Sequence, residues 1–431
     1  MQQNCENLIG KKLLVIGGAF LHLDLVKAAK RMGVETYVTD YLPLACAPAK
    51  QIADHAWNLN ITEYDALEER CRREHIDGIM NMYYNPCQRP VQVLCQRLGL
   101  PCFGTREQYE IFTDKKRFLE TCVRYGVDII HQYREADFAF HNPAVEYPVY
   151  VKPSDSRASR GQSICRSYAE VGPAIARARS ESTSGEIIIE RFMENARDIQ
   201  LTLLLIDGEL HPECVADKYD GKAEENLAGV CVCGIAPSRY RDTVIADALP
   251  GIEHMLQAVG LRNAVVFMQA FVDGDRLRVY DPSLRFPATH YELFIRETVG
   301  LDLYEAMVRF ALTGRFPDAL RGIDALQSMN GTICLGIYIY IRPGTVARII
   351  GLEDLRRRKD IVGIECRYGE GERLENWTYD HRQCIFTLVL RNRDREEAER
   401  TIQDVYETLR VLDENGDDMI IARFDTAGLR K

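Results

Sequence analysis

Lys152 ends a short β-type run, YPVYVK, and is followed by Pro153 and a small polar loop, SDSRASRG, closed by Gly161. Such a loop cannot pack a core. Its backbone N–H groups can wrap a phosphate, and the lysine supplies a point charge. More than a hundred residues later, VYDPSLR (Val279 to Arg285) offers a carboxylate, a hydroxyl and a guanidinium. One segment could hold the phosphates of a nucleotide. The other could hold its metal and the charge of a transferred phosphoryl group. Each is weak alone; together and in this order they suggest ATP chemistry.

The elements that must position these groups follow from periodicity. Residues 12 to about 104 alternate strand and helix signals. KLLVIGG, ETYVTD and IDGIMNMYY read as strands; LDLVKAAKRMG, YDALEERCRREH and RPVQVLCQRLGL read as helices. The alternation implies a parallel sheet covered on both faces. Ligands bind such sheets at the carboxyl ends of strands, which points at Gly17, Gly18, Asp40 and Asn81. GGAFLHLD lacks the third glycine of a dinucleotide fingerprint, so a scaffold role outranks NAD binding.

After residue 105 the character changes. REQYEIFTDKKRFLETCVRYG reads as helices carrying Lys115 and Lys116. The loop-bearing strand, the helix AEVGPAIARARSES and the strand EIIIERFM follow. Two hairpins come next, with turns expected at Asp207-Gly208 and Asp273-Gly274. LPGIEHMLQAVGL is a helix, and TVGLDLYEAMVRFALTG is expected as one helix closing the unit. The last hundred residues are strand-rich, with one long helix, DREEAERTIQDVYETLRVL. No repeat or low-complexity segment stands out.

The chain has 431 residues, enough for two or three domains. A net charge of −10 argues against non-specific nucleic-acid binding. No apolar run is long enough to span a membrane, and the N-terminus lacks a secretory pattern. The expected location is therefore cytoplasmic, and the fourteen cysteines are expected to be reduced core residues. Cys231 and Cys233, the only close pair, do not make a zinc pattern.

This order of elements resembles the ATP-grasp superfamily, most closely its carboxylate–amine ligase and carbamoyl-phosphate-synthase-like branch. The tail IRPGTVARIIGLEDLRRRKDIVGIECRYGEGERL is similar to the C-terminal domain of bacterial L-amino-acid ligases. The resemblance implies a mixed α/β and α+β chain. An α/β domain (1–104) precedes an ATP-grasp domain (105–330) with a mobile lid at roughly 125–192, and an α+β domain (331–431) follows. It implies ATP and Mg²⁺ as cofactors, with Mn²⁺ as the alternative ion. Lys115 matches the first ATP lysine and Lys152 the second, at the α-phosphate. Ser154, Ser159 and Gly161 belong to the phosphate-covering loop, in which Arg157 and Arg160 stand where glycine is usual. Glu190 matches the adenine-side glutamate, Arg191, Phe192 and Met193 offer backbone groups to the purine, and Asp198 takes the ribose-binding place. The metal positions read Gln269, Asp281 and Ser283. Ser283 departs from the asparagine usual there, and a hydroxyl is a poorer Mg²⁺ ligand than an amide oxygen. Arg285 matches the arginine that stabilises the transferring phosphoryl group. Lys218, in a loop, is a second catalytic candidate at the γ-phosphate or a substrate carboxylate.

The implied reaction is ATP-dependent formation of an acylphosphate from a small carboxylic acid, then attack by an amine. Homodimers are frequent among related folds. Two alternatives stay open: a bicarbonate-using carboxylase or carbamoyl-phosphate-forming enzyme, and a non-catalytic nucleotide-binding module in which Ser283 marks a lost metal site. Plainer roles also compete. Lys116, Arg157 and Arg160 read first as solvated surface charges, a structural ion pair is the lesser reading of Glu190, and His290 reads equally as a satisfied loop histidine or a substrate contact.

Overall fold

The computed structural model describes residues 7–154, 161–182, 184–194, 196–221, 230–323, 331–377 and 381–430. Ser159, Arg157 and Arg160 lie outside the described residues.

Strands β1 (Lys12–Ile16), β2 (Glu35–Thr39), β3 (His55–Trp57) and β4 (Gly78–Met80) form a parallel sheet in the order β3-β2-β1-β4. Leu13 and Val15 of β1 enter one core, while Leu14 and Ile16 enter another. This is the two-sided coverage that a continuous apolar strand demands. β3 carries no such signal, because only Trp57 of its three residues is buried.

The strand expected through Tyr84 stops at Met80. Asn81 accepts the Tyr84 N–H at 3.0 Å, and a helix begins at Asn85 rather than near Arg89. Pro86 in its first turn explains the early start, since its fixed φ suits a helix and its missing N–H has no helical partner there. Asp40, at the end of β2, is occupied within its own loop. Its carboxylate accepts the Gly18 N–H at 2.8 Å and the Leu42 N–H at 2.9 Å. The fully buried Lys50 ties the same loop together through the Asp40 and Leu42 carbonyls and Asn58.

A second, antiparallel sheet contains β5 (Gln132–Tyr133), β6 (Val149–Pro153), β7 (Ser163–Cys165) and β8 (Ile187–Arg191), ordered β5-β8-β6-β7. Val149 and Val151 pack on the helix Tyr168–Glu181. Alternation then sends Tyr150 and Lys152 to the opposite face. Gly161 returns the chain with φ +70°, and a Cβ there would sit 2.9 Å from both Glu181 and Pro153.

The third sheet has nine strands. Its path joins β9 (Arg197–Ile206), β10 (Glu209–Gly221), β11 (Val230–Ala236), β12 (Ala264–Asp273), β13 (Arg276–Ser283) and β14 (Ile333–Ile341) in the order β13-β12-β9-β10-β11-β14. The strands Cys384–Asn392 and Ile361–Cys366 continue it, and Ile420–Ile421 pairs with β14. The hairpin turn at Asp207-Gly208 is as expected, with φ of 54° and 92°. The next turn falls at Gly274-Asp275, one residue later than expected, because Asp273 still pairs with Arg276. The closing helix is two helices, Tyr291–Val299 and Leu303–Thr313. Gly300 ends the first in a left-handed conformation, and Asp302 caps the second through the Tyr304 and Glu305 N–H groups. The cysteines among the described residues are free.

The first sheet is locked against the closing helices by close approach. A Cβ on Gly78 would lie 2.4 Å from the Ala311 carbonyl oxygen, so β4 lies directly against the helix Leu303–Thr313. Arg31 adds ion pairs to Asp302 at 2.7 Å and Glu305 at 3.3 Å. Gly78→Ala should therefore destabilise the protein by about 1–3 kcal/mol, the usual cost of overpacking. Gly172→Ala, in a helix with open space around the Cβ, is the control and should be neutral or slightly stabilising. Denaturant unfolding curves measure both; equal midpoints for the two variants would refute the account.

Candidate active site

β9, β12 and β13 build the floor of the site. Gln269 pairs with both Gln200 and Asp281, and Phe267 pairs with both Thr202 and Ser283. Directly paired residues share a face, so Gln269, Asp281 and Ser283 point to the same side. A register shift next to Gln269 leaves Tyr280 as an extra residue between Val279 and Asp281. This β-bulge re-aims the strand. The Tyr280 hydroxyl reaches Asp198 at 3.0 Å.

Lys115 is the first residue of the helix Lys115–Arg124, whose N-terminus is capped by Asp114. Its ammonium meets Asp281 at 2.8 Å. Asp281, with Glu190 adding to it, holds the lysine pKa above its ordinary value against the opposing effect of burial. Lys115 is thus paired with a carboxylate of the large sheet and feels the charge of one on the β5–β8 sheet.

Lys152 and Glu190 are diagonal neighbours on β6 and β8, and their charged atoms are 2.5 Å apart. Their side chains are only 12% and 6% exposed. The Lys152 ammonium also lies 5.5 Å from the centre of the Tyr150 ring. Ser154 follows directly, its N–H donating to the Glu186 carbonyl. The structural ion pair set against a ligand role for Glu190 is therefore present.

Lys218 lies on β10, not in a loop. It pairs with Asp198 at 2.7 Å and with Asp220 at 3.5 Å. The two residues assigned separately to the ribose and the γ-phosphate thus contact each other. Burial pushes the Asp198 carboxyl up to about 6 despite Lys218. Burial opposes the Lys218 charge, but Tyr280, Asp198 and Asp220 hold its pKa well above the lysine range.

Backbone groups at the β8 end are less open than expected. The Arg191 N–H donates to the His131 carbonyl and the Phe192 N–H to the Pro148 carbonyl. The Phe192 carbonyl accepts the Glu194 N–H. Backbone pairing continues past the last strand residue and occupies these groups at Arg191 and Phe192.

Arg285 is held differently from the lysines. Its Nε–H donates to Asn85 Oδ1, and its Nη1 donates to the Phe286 carbonyl at 2.6 Å. Burial lowers its pKa to about 10, with Asp281 opposing. Ser283 donates to the same Asn85 oxygen at 3.0 Å and accepts from Gln88 at 3.1 Å. Asn85 and Gln88 come from the first α/β unit and were not anticipated. The signal was there: a polar Asn-Pro start to a helix at the carboxyl end of β4.

Two buried carboxylates, Glu213 and Glu292, were also missed. Burial, reinforced by Glu292, pushes Glu213 well up, and burial pushes Glu292 up to about 7. His290 is buried, with its Nε2 3.1 Å from Glu365. Burial lowers it, but Glu365 carries it to about 9, which makes it an internal ion-pair partner. Lys116 is exposed and bonded to Glu186 at 3.1 Å, as a surface residue would be.

The model of the carbamoyl-phosphate synthase L chain ATP-binding domain matches residues 113–210, which carry Lys115, the second sheet and β9. The L-amino acid ligase of Bacillus licheniformis superposes with a TM-score of 0.76 at 15% identity, covering 94% of this chain and 100% of that one. The chain has the ATP-grasp fold. The same ATP-grasp fold links it to the biotin carboxylase domain of the 2-oxoglutarate carboxylase of Hydrogenobacter thermophilus, solved as a dimer with MgADP and bicarbonate. That TM-score is 0.76 at 17% identity, over 94% of this chain and 91% of that one. In sequence, the formate-dependent phosphoribosylglycinamide formyltransferase of Haloquadratum walsbyi is 31% identical over 200 residues, 45% of this chain and 49% of that one. The chain spans about half the length of the first curated relatives it matches. No helix among the described residues is long and apolar enough to cross a membrane.

The Asp198–Lys218 pair gives a signed pH dependence. An Asp198 pKa near 6 in the folded state, against about 3.9 unfolded, means the folded state binds more protons between those values. Stability therefore falls as pH rises through this window, by up to about 3 kcal/mol. Asp198→Asn removes this contribution, so the wild type should lose stability relative to the variant from about pH 4 to about pH 6. Denaturation curves across that range test it; a constant difference between the two proteins would refute the assignment.

Proposed function

We propose that this ATP-grasp chain is an ATP-dependent carboxylate–amine ligase. It activates a small carboxylic acid as an acylphosphate, joins it to an amine, and releases ADP and phosphate. The observation that carries the reading is the Lys115–Asp281 ion pair at 2.8 Å on the face that also carries Gln269. An ATP phosphate chain entering there would meet Lys115, Lys152 and Arg285 together. The proposal includes the domain limits 1–104, 105–330 and 331–431, with the lid near 125–192. It also includes a cytoplasmic location, a homodimer, and no nucleic-acid partner.

The donor set suits Mg²⁺. Asp281 and Gln269 offer hard oxygen atoms on one face, and Mg²⁺ takes few protein ligands when phosphates and waters complete its octahedron. Mn²⁺ accepts the same donors. The described residues hold no cluster of three metal-binding acids, histidines or cysteines. The Ser283 hydroxyl is engaged by Asn85 and Gln88, so Asp281 and Gln269 are the principal ligands. Bound Mg²⁺ would neutralise phosphate charge.

The chain's own groups do the rest. Lys115 and Lys152 exchange their carboxylate partners for phosphate oxygens, while Ser154 and Gly161 bound the covering loop. Glu190, Met193 and the backbone near Arg191 and Phe192 frame the adenine side, with Asp198 at the ribose. Arg285 stabilises the charge on the phosphoryl group in transfer, and Lys218 orients the acid. Catalysis then rests on in-line positioning and charge neutralisation. Closure of the second sheet would exclude water, which otherwise hydrolyses the acylphosphate.

Phosphate release from ATP, assayed over a matrix of acids and amines that includes bicarbonate, is the test. At least one acid–amine pair should stimulate release, and Lys152→Ala should lower it by roughly 100-fold or more. Stimulation by bicarbonate alone would favour a carboxylase. ATP binding with no stimulated release would reduce the chain to a nucleotide-binding module.

A further inference from the structure

Four cations converge on the site, and they are not equivalent. Lys115 is paired with Asp281, Lys152 with Glu190, and Lys218 with Asp198. Among the described residues, Arg285 alone of the four has no carboxylate at ion-pair distance. Its direct partners are the neutral Asn85 amide oxygen and the Phe286 carbonyl, and its guanidinium lies 5.5 Å from the centre of the Phe267 ring. A guanidinium held by neutral acceptors keeps its full charge and its remaining N–H groups for an anion.

The holder is unusual in origin. Asn85 is the first residue of the helix Asn85–Leu98, two hundred positions before Arg285 and in a different sheet unit. Its Oδ1 accepts from three donors: the Arg285 Nε–H, the Ser283 hydroxyl at 3.0 Å and the Gln88 amide at 2.9 Å. Arg285 Nε can only donate, so the atom facing it must be oxygen. Gln88 is fully buried and fixes the other side, donating to Ser283 and accepting the Leu284 N–H at 3.3 Å. The two amides thus hold positions 283 to 285 from the facing helix.

We infer that Asn85 is a positioning residue of the phosphoryl-transfer site. It orients Arg285 toward the terminal phosphate while leaving its charge uncompensated, and it does so from the N-terminal unit. A carboxylate at this place would hold the guanidinium equally well and cancel its charge. The inference rests on the nucleotide part of the proposed function and not on the identity of the acid or the amine.

Asn85→Asp separates holding from charge. It keeps the acceptor oxygen and nearly the same shape, so the melting temperature should not fall. Affinities for ATP and for ADP with Mg²⁺, measured by calorimetry on the full chain, are the readout. ATP affinity should drop by about 10-fold or more, while ADP affinity stays within about 2-fold. Asn85→Ala should show a smaller loss confined to ATP, because the guanidinium stays charged but is no longer aimed. Unchanged ATP affinity in Asn85→Asp would overturn the inference. So would equal losses for ATP and ADP with a lower melting temperature, which would make Asn85 merely structural. A wild-type protein that binds neither nucleotide would sink the nucleotide reading itself. Retained ATP affinity without ligase turnover would sink only the ligation.

Discussion

Charge compensation within each of the two antiparallel sheets, and between the large sheet and the helix Lys115–Arg124, is the constraint on which the site depends. A lysine or carboxylate removed from water is costly unless it is paired. Here Asp281 and Asp198 on the large sheet and Glu190 on the second sheet are matched to Lys115, Lys218 and Lys152. A polyanionic ligand would offer the lysines new partners and leave the carboxylates to a cation. Ligand and metal would then enter as a neutralising set, because either one alone leaves like charges crowded together.

Backbone geometry makes that matching available. The strict alternation of β6 buries its valines under a helix and leaves Lys152 on the opposite face beside Glu190. The bulge at Tyr280 gives β13 one residue more than β12, so that Asp281 and Ser283 fall opposite Gln269 and Phe267. Capping by Asp114 fixes where the next helix starts and hence where Lys115 projects. Each device is local, yet each aims a side chain at the same place.

Much of this was legible in the sequence. Apolar runs, turn residues and helix stops located both long hairpins and the parallel sheet of the first unit. Lys152, Asp281 and Arg285 were read from local motifs, and Lys115, Glu190 and Gln269 from the family resemblance; Lys115 meets Asp281, and Lys152 meets Glu190. The failures share a physical cause: they concern pairings between residues far apart in the chain. Lys218 read as a loop residue because VADKYDG ends in turn-forming types, yet β10 extends through it against β11. The Asp198–Lys218 contact depends on two strands meeting, and no single segment encodes it. Asn85 was hidden because the helix was expected to begin after it. Gly300 and Asp302, which divide the closing helix, were visible as breakers but were outweighed by the apolar periodicity around them.

The nine-stranded sheet has a further consequence for how this chain could be divided. β11 forms its ladder with β14, so hydrogen bonding crosses from the middle of the chain into the last hundred residues without a break. Asp217 reinforces the seam, pairing with Arg395 at 2.6 Å and Arg239 at 3.8 Å. The C-terminal segment is therefore not an appendage that recombination could exchange as a cassette. Removing it would leave β11 as a raw, apolar edge, open to pairing with another copy. Descendants of this architecture would be expected to vary in their loops and in the second sheet, while inheriting the two ends of the large sheet as a single piece.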